Sequence, residues 1–264
     1  MIVFVESVAI LAPGLEGWAV ARPILAGEKT HEATPLAAPV ADLLPPVERR
    51  RTGAPVKFAL AVGQEALANA GRPVDAVPTV FVSSGSDGDV INDICTTLAG
   101  PDRQISPTRF HNSVHNAPSG YWGIATHSHQ PSISLCGFDW SFPIGLMEAA
   151  AQVATGQREC LLIAYDTIYP EPLKGVRPVT QSFGAALLLG RNRTDSSLAA
   201  LDIDLRSGSG EISRMRDASL ERLRLDNSSA RALPLLAALA SARRQTVIIE
   251  RDAGQMLGIA VQPC

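Results

Sequence analysis

HNSVHNAPSGYWGIATHSHQPSISLCGFDWSFPIGLMEAAAQVATG, residues 111–156, is the stretch on which the reading of the fold turns. It opens rich in His, Asn and Ser around two aromatics, Tyr121 and Trp122. Residues 131–137 (PSISLCG) then alternate with the period of a strand. An almost wholly apolar helix is expected from residue 141 to about 154, with Gly156 placed to stop it. A strand that runs through a tight turn into a buried helix presents one residue where backbone N–H groups and the helix dipole converge. That turn carries Phe138, Asp139 and Trp140. The expected role of Asp139 is an N-cap, worth about 1 kcal/mol, with Ser141 as the other candidate.

Working outward, residues 159–166 (ECLLIAYD) form a continuous apolar run, as a buried parallel strand would. Residues 182–190 read as another strand, and 198–205 alternate as an antiparallel edge would. Residues 206–228 are charged and serine-rich and are expected to be weakly structured. An apolar helix over 229–242 precedes two short strands, 245–250 and 256–261, joined at Asp252-Ala253-Gly254. Toward the N-terminus, residues 2–11 form a Val/Ile-rich strand ended by Pro13-Gly14. A proline-rich excursion over 17–55 is followed by a helix over 56–70. A strand over 78–84 then leads through SSGSDGD into a helix over 89–98, with Val90, Ile91, Ile94 and Leu98 on one side. Strands alternating with helices define an α/β layered fold, and the later strands without helices between them imply a mixed sheet.

The 264 residues are 46% apolar and 19% charged, enough to bury a full core. Net charge is −3, and only Arg49-Arg50-Arg51 is locally basic, which argues against nucleic acid as a partner. Four cysteines without CxxC spacing fit a reduced, cytoplasmic setting. The N-terminus lacks a basic leader and holds Glu6, so it reads as a strand and not a signal peptide. No apolar run is long enough for a membrane span.

His111 and His115 lie four apart and His127 and His129 two apart, spacings that zinc can use. There is no HExxH and no acid among them, so neither metal nor cofactor is expected. A triad could be drawn from Ser134, His115 and Asp166, but no GxSxG elbow exists. Cys136 falls inside the alternating strand and is expected to be buried core. The SSGSDGD loop lacks the lysine of a P-loop.

The order of these features resembles β-ketoacyl-ACP synthases of the thiolase fold. The carriers are SSGSDGD, Ile105-Ser106-Pro107, Asn116 and Gly120, residues 131–134 (PSIS, with Gln130 where the family has Gly) and GQRECLLIAYD at 156–166. The resemblance covers about residues 1–190, the ketosynthase-like N-terminal part, and implies that 191–264 is a reduced remnant of the second half. Counting forward from PSIS and back from Gly156, the family's nucleophilic Cys falls on Asp139. HNSVHNAPSGYWGIATH and residues 165–173 (YDTIYPEPL) resemble the chain-length-factor-like homologues of aryl polyene and xanthomonadin-type pigment pathways.

That resemblance implies a non-catalytic subunit that pairs with an active β-ketoacyl-ACP synthase and shapes the acyl pocket, with acyl carrier protein docking on the complex. It places Ser132, Ile133, Ser134, Leu135 and Cys136 at the subunit interface, and His111, His115 and Asn116 near it. Val90, Ile91 and Ile94 become candidates for limiting chain length, beside their plain reading as core. No His occurs after His129, so neither catalytic histidine of the family can be mapped. Two other classes stay open: a stand-alone acyl-thioester or zinc-dependent hydrolase using His111, His115, His127 or His129, and a homodimer that only scaffolds.

Overall fold

The computed structural model describes every residue of the chain except 209 and 253. The elements are β1 (Ile2–Ala12), β2 (Leu15–Glu16), α1 (Trp18–Leu25), α2 (Pro46–Arg51), α3 (Ala54–Asn69), β3 (Thr79–Ser83), α4 (Gly88–Ala99) and α5 (Pro107–Asn112). Then come α6 (Ala117–Thr126), β4 (Ser132–Cys136), α7 (Ser141–Thr155), β5 (Glu159–Asp166), α8 (Leu173–Val176) and β6 (Phe183–Gly190). The chain closes with β7 (Ala199–Ser207), α9 (Ala218–Asp226), α10 (Leu233–Ser241), β8 (Gln245–Asp252) and β9 (Gln255–Pro263).

One mixed sheet runs β4-β3-β5-β6-β1-β7-β9-β8, with β2 folded back on β1. β3 is parallel to both β4 and β5, and every other neighbour is antiparallel. The apolar run of β5 is therefore parallel on one side only. Residues 199–263 add three strands to the sheet that the N-terminal strands begin.

Helices cover β1, β3, β5 and β6 on two sides because those strands are apolar on both. On one face α7, α1 and α10 pack on Val80, Val82, Leu162 and Leu187. On the other, α3 and α6 pack on Phe81, Ile163, Tyr165 and Leu188. The small residues of α3 allow a close approach. A Cβ on Gly63 would stand 2.6 Å from the Trp122 ring and 2.9 Å from Ile163. Gly63→Ala is therefore expected to cost about 1–3 kcal/mol through overpacking, read as a lower denaturant midpoint; an unchanged midpoint would contradict this packing.

Three local expectations are corrected. β7 is interior, between β1 and β9, and the sheet edges are β4 and β8. Its alternation arises because Ala199, Leu201 and Ile203 face the core while Asp202 and Asp204 face solvent. Residues 206–228 are not without structure, since they contain α9. Asp217 caps that helix by accepting from the N–H groups of Ser219 and Leu220, and Arg224 pairs with Glu221 at 2.7 Å. Cys136 is exposed and not core, because β4 has a neighbour on one side only. The turn expected at Asp252-Ala253-Gly254 includes Ala253, which lies outside the described residues.

Candidate functional site

β3 and β4 run parallel and deliver their C-terminal ends side by side. After Cys136 the chain enters a 3₁₀ turn, Phe138–Trp140, that leads directly into α7. Phe138 sits at φ 54, the left-handed region that a bulky side chain adopts only under constraint. Ser141 supplies part of that constraint. Its buried Oγ accepts from the Gly137 N–H at 3.0 Å and lies 2.8 Å from the carbonyls of both Ser83 and Phe138. Ser228 Oγ donates to the Phe138 carbonyl at 2.6 Å.

Asp139 does not cap α7. The 3₁₀ turn puts Trp140 in the N-cap position, with no side-chain cap bond, and directs Asp139 outward. There its Oδ1 accepts from Arg177 Nη2 at 2.9 Å. The Arg177 guanidinium also lies 3.6 Å above the Phe138 ring, a cation–π contact that fixes the fork over the turn. The turn is thus closed by an ion pair in which Arg177 is largely buried and Asp139 partly exposed.

Beneath it lies a residue that the sequence did not single out for this place. Asp166, at the end of β5, is buried and accepts four hydrogen bonds. Ser84 donates from N and Oγ at 2.8 and 2.6 Å, and Ser229 from N and Oγ at 3.0 and 2.7 Å. Burial pushes the Asp166 carboxyl up, and the Ser84 and Ser229 bonds oppose that shift. Asp166 thereby ties the loop after β3 to the turn before α10. Ser84 in turn accepts a 3.1 Å contact from Cys136 Sγ at its carbonyl. The buried thiol, Cys160, is deep in the core, where burial pushes it up to about 12.

The histidines are not gathered. His111 and His115 precede α6, while His127 and His129 follow it. A ten-residue helix separates the two pairs by about 15 Å. His111 lies edge-on to Tyr121, and His127 closes α6 in the left-handed conformation. Asn116 precedes α6 without a side-chain cap bond. Among the described residues no group of three His, Cys, Asp or Glu could hold a metal ion. Nor does the Ser134–His115–Asp166 triad form. His115 Nε2 meets the Ser134 carbonyl at 3.3 Å, Ser134 Oγ donates to Ser119 Oγ, and Asp166 is committed to its two serines.

The β4 edge is open. Ser132, Ile133 and Cys136 are exposed, with Ser134 and Leu135 half-buried. Pro131 O accepts from Thr79 N at 3.0 Å, so by the period of two Ser132, Ser134 and Cys136 turn their backbone groups to the free side. The surface of α4 and α5 exposes several apolar side chains among its polar ones. On α4, Val90 is buried, Ile91 and Ile94 are half-buried and Leu98 is exposed. α5 packs on α4 and adds Phe110, 67% exposed, and Val114 follows it, 51% exposed. Core packing therefore accounts for Val90 but not for the rest of that stripe.

A mixed sheet clad by helices on both faces, with a strained strand-to-helix turn, defines the class of thiolase-like α/β proteins. The sequence profile described as "Beta-ketoacyl synthase, N-terminal domain" matches residues 25–252. The chain belongs to that family. A comparison with curated proteins found no match. Among solved structures it is similar to a chain from a ketosynthase in complex with its chain length factor from Xenorhabdus doucetiae (22% identity, 98% of this chain and 99% of that chain, TM-score 0.75). It is also similar to a chain of the ishigamide ketosynthase/chain length factor (12% identity, 99% of each chain, TM-score 0.76). A third resembles it at 13% identity, over 100% of this chain and 99% of that one, with a TM-score of 0.75. It comes from a type II polyketide acyl-carrier protein in complex with its ketosynthase. At these identities the likeness is one of fold. Among the described residues no helix is long and apolar enough to cross a membrane.

Proposed function

We propose that this chain is a non-catalytic, chain-length-factor-like subunit that pairs with a catalytic β-ketoacyl-ACP synthase in the cytoplasm. The observation that carries the reading is the Asp139–Arg177 ion pair at the head of α7. Condensation needs a thiolate to hold the acyl group and a base to promote decarboxylation. Here a carboxylate occupies the turn, paired with Arg177 and within the field of Arg231, and among the described residues no histidine is a hydrogen-bond partner of it. The open β4 strand supports a partner, because an unpaired edge is a template for another strand. In this reading Ser132 to Cys136 form the interface, with His115 at its margin. Ile91 and Ile94 face the partner's acyl pocket from α4, with Val90 anchoring the helix beneath them. Acyl carrier protein docks on the assembled pair. Residues 191–264 are a reduced second half that has joined the first half's sheet.

The purified chain is expected to take no acyl label at residue 139 from acyl carrier thioesters. Asp139→Cys provides the sharper test. Beside Arg177 the new thiol is held below its ordinary range of about 8.5. It should alkylate with iodoacetamide within the time that the exposed Cys95 does, yet condense nothing. Condensation by the wild-type chain alone would sink the proposal.

A further inference from the structure

The edge of the sheet opposite β4 carries a second surface. β8 ends the sheet there, seven strand spacings from β4, or about 34 Å. Along it runs a groove of about 1230 Å³ between the end of α1 with residues 26–31, the extended segment 211–217 and residues 243–248. This exceeds the roughly 300–1,000 Å³ of ordinary small-molecule pockets, and its rim is exposed.

Two features of the groove are unsatisfied. The first is charge. Cations outnumber acids five to three along it, on a chain whose net charge is −3. Among the described residues Lys29, Arg214, Arg216 and Arg243 make no direct side-chain hydrogen bond or ion pair, although Arg214 lies in the field of Glu221, and Arg244 donates to Gln262. Of the acids, Asp217 is committed to capping α9, which leaves Glu28 and Glu211.

The second is backbone. Ile248 turns its N–H and C=O away from β9. Its carbonyl accepts from Ser213 N at 2.9 Å and its N–H donates to Ser213 Oγ at 3.0 Å. Thr246, two residues back, turns the same way, and its backbone groups have no partner among the described residues. A helix laid in the groove would cover those groups without satisfying them, at a cost. An extended chain would satisfy them, and the segment at Ser213 already does so one step along the same edge.

We propose that this groove docks an acidic, extended segment of a partner protein. The segment adds to the β8 edge at Thr246, and its carboxylates pair with Lys29, Arg214, Arg216 and Arg243. The mode is strand addition, with main-chain bonds supplying affinity and the flanking charges supplying selectivity. It does not depend on what pairs with β4.

The test uses the full chain and a fluorescein-labelled nine-residue peptide in which Glu alternates with Val or Thr, beside its Lys counterpart. Anisotropy at low salt should show binding of the Glu peptide only, weakened as salt rises. The triple variant R214E/R216E/R243E, confirmed folded by its circular dichroism, should bind it at least tenfold more weakly. Hydrogen exchange should show the Thr246 amide slowed by the peptide. No binding of the Glu peptide, equal binding of the Lys peptide, an unchanged affinity in the variant, or protection at residues 132–136 in place of Thr246 would each overturn the proposal.

Discussion

Ser134→Pro is expected to leave the chain folded and to abolish its pairing with a ketosynthase. Ser134 lies at the middle of β4, the edge strand. Its N–H points to the free side by the period set at Pro131, so proline removes a donor that β3 does not use. On an edge facing solvent such a change is tolerated; on an edge that receives another strand it deletes a ladder bond and adds a ring where the partner must approach. The side-chain bond to Ser119 Oγ is also lost, but both residues are near the surface, and the cost to the chain alone should stay within about 1 kcal/mol. Co-purification with the partner should fall below detection while the melting temperature of the isolated chain moves by only a few degrees. Retention of the partner by the proline variant would remove β4 from the interface.

Asp166→Ala should cause the largest loss of stability of any single polar substitution. Four donors converge on this carboxylate in a site closed to water. Truncation strands two buried backbone N–H groups and opens a void between β5 and the turn before α10. Unsatisfied buried donors cost about 1–3 kcal/mol each, and the hydroxyls of Ser84 and Ser229 can relieve part of that by turning toward one another. A net loss of about 3–5 kcal/mol follows, in the range reserved for broken buried networks. Denaturant unfolding of the variant measures it directly. Ser84→Ala and Ser229→Ala should each cost less, and together they should not sum to the loss in Asp166→Ala, because they share one acceptor. A loss under 1 kcal/mol in Asp166→Ala would show that the carboxylate is not the hub of this region.

Strands β1, β3, β5 and β6 and helices α3, α4 and α7 were legible because a core imposes its period on the residues that fill it. The edge status of β4 is not carried by its alternating pattern. The same pattern led to Cys136 being read as core, since alternation reports two faces and says nothing about a missing neighbour. β7 was misread for the converse reason: one solvated face gives alternation to an interior strand as readily as to an edge. α9 was overlooked because its residues are mostly polar, although Asp217 as cap and the Glu221–Arg224 spacing were local signals for it. Asp139 was read as a cap from its place before an apolar helix. The ion pair that replaces the cap comes from Arg177, 38 residues on, with no periodicity to announce it. Asp166 closes an apolar run, as many strand-end acids do, and its donors Ser84 and Ser229 lie 82 and 63 residues away. Contacts of that range are properties of the topology and could not be read before the sheet order was known.

If this chain works as one half of a pair, it should be found bound to a catalytic synthase. Native mass spectrometry of the chain co-expressed with a catalytic β-ketoacyl-ACP synthase reads that pairing out. A mixed complex with equal numbers of the two chains is expected, lost when Ser134 is replaced by proline. A homodimer or monomer of this chain standing beside an unaccompanied synthase would contradict it.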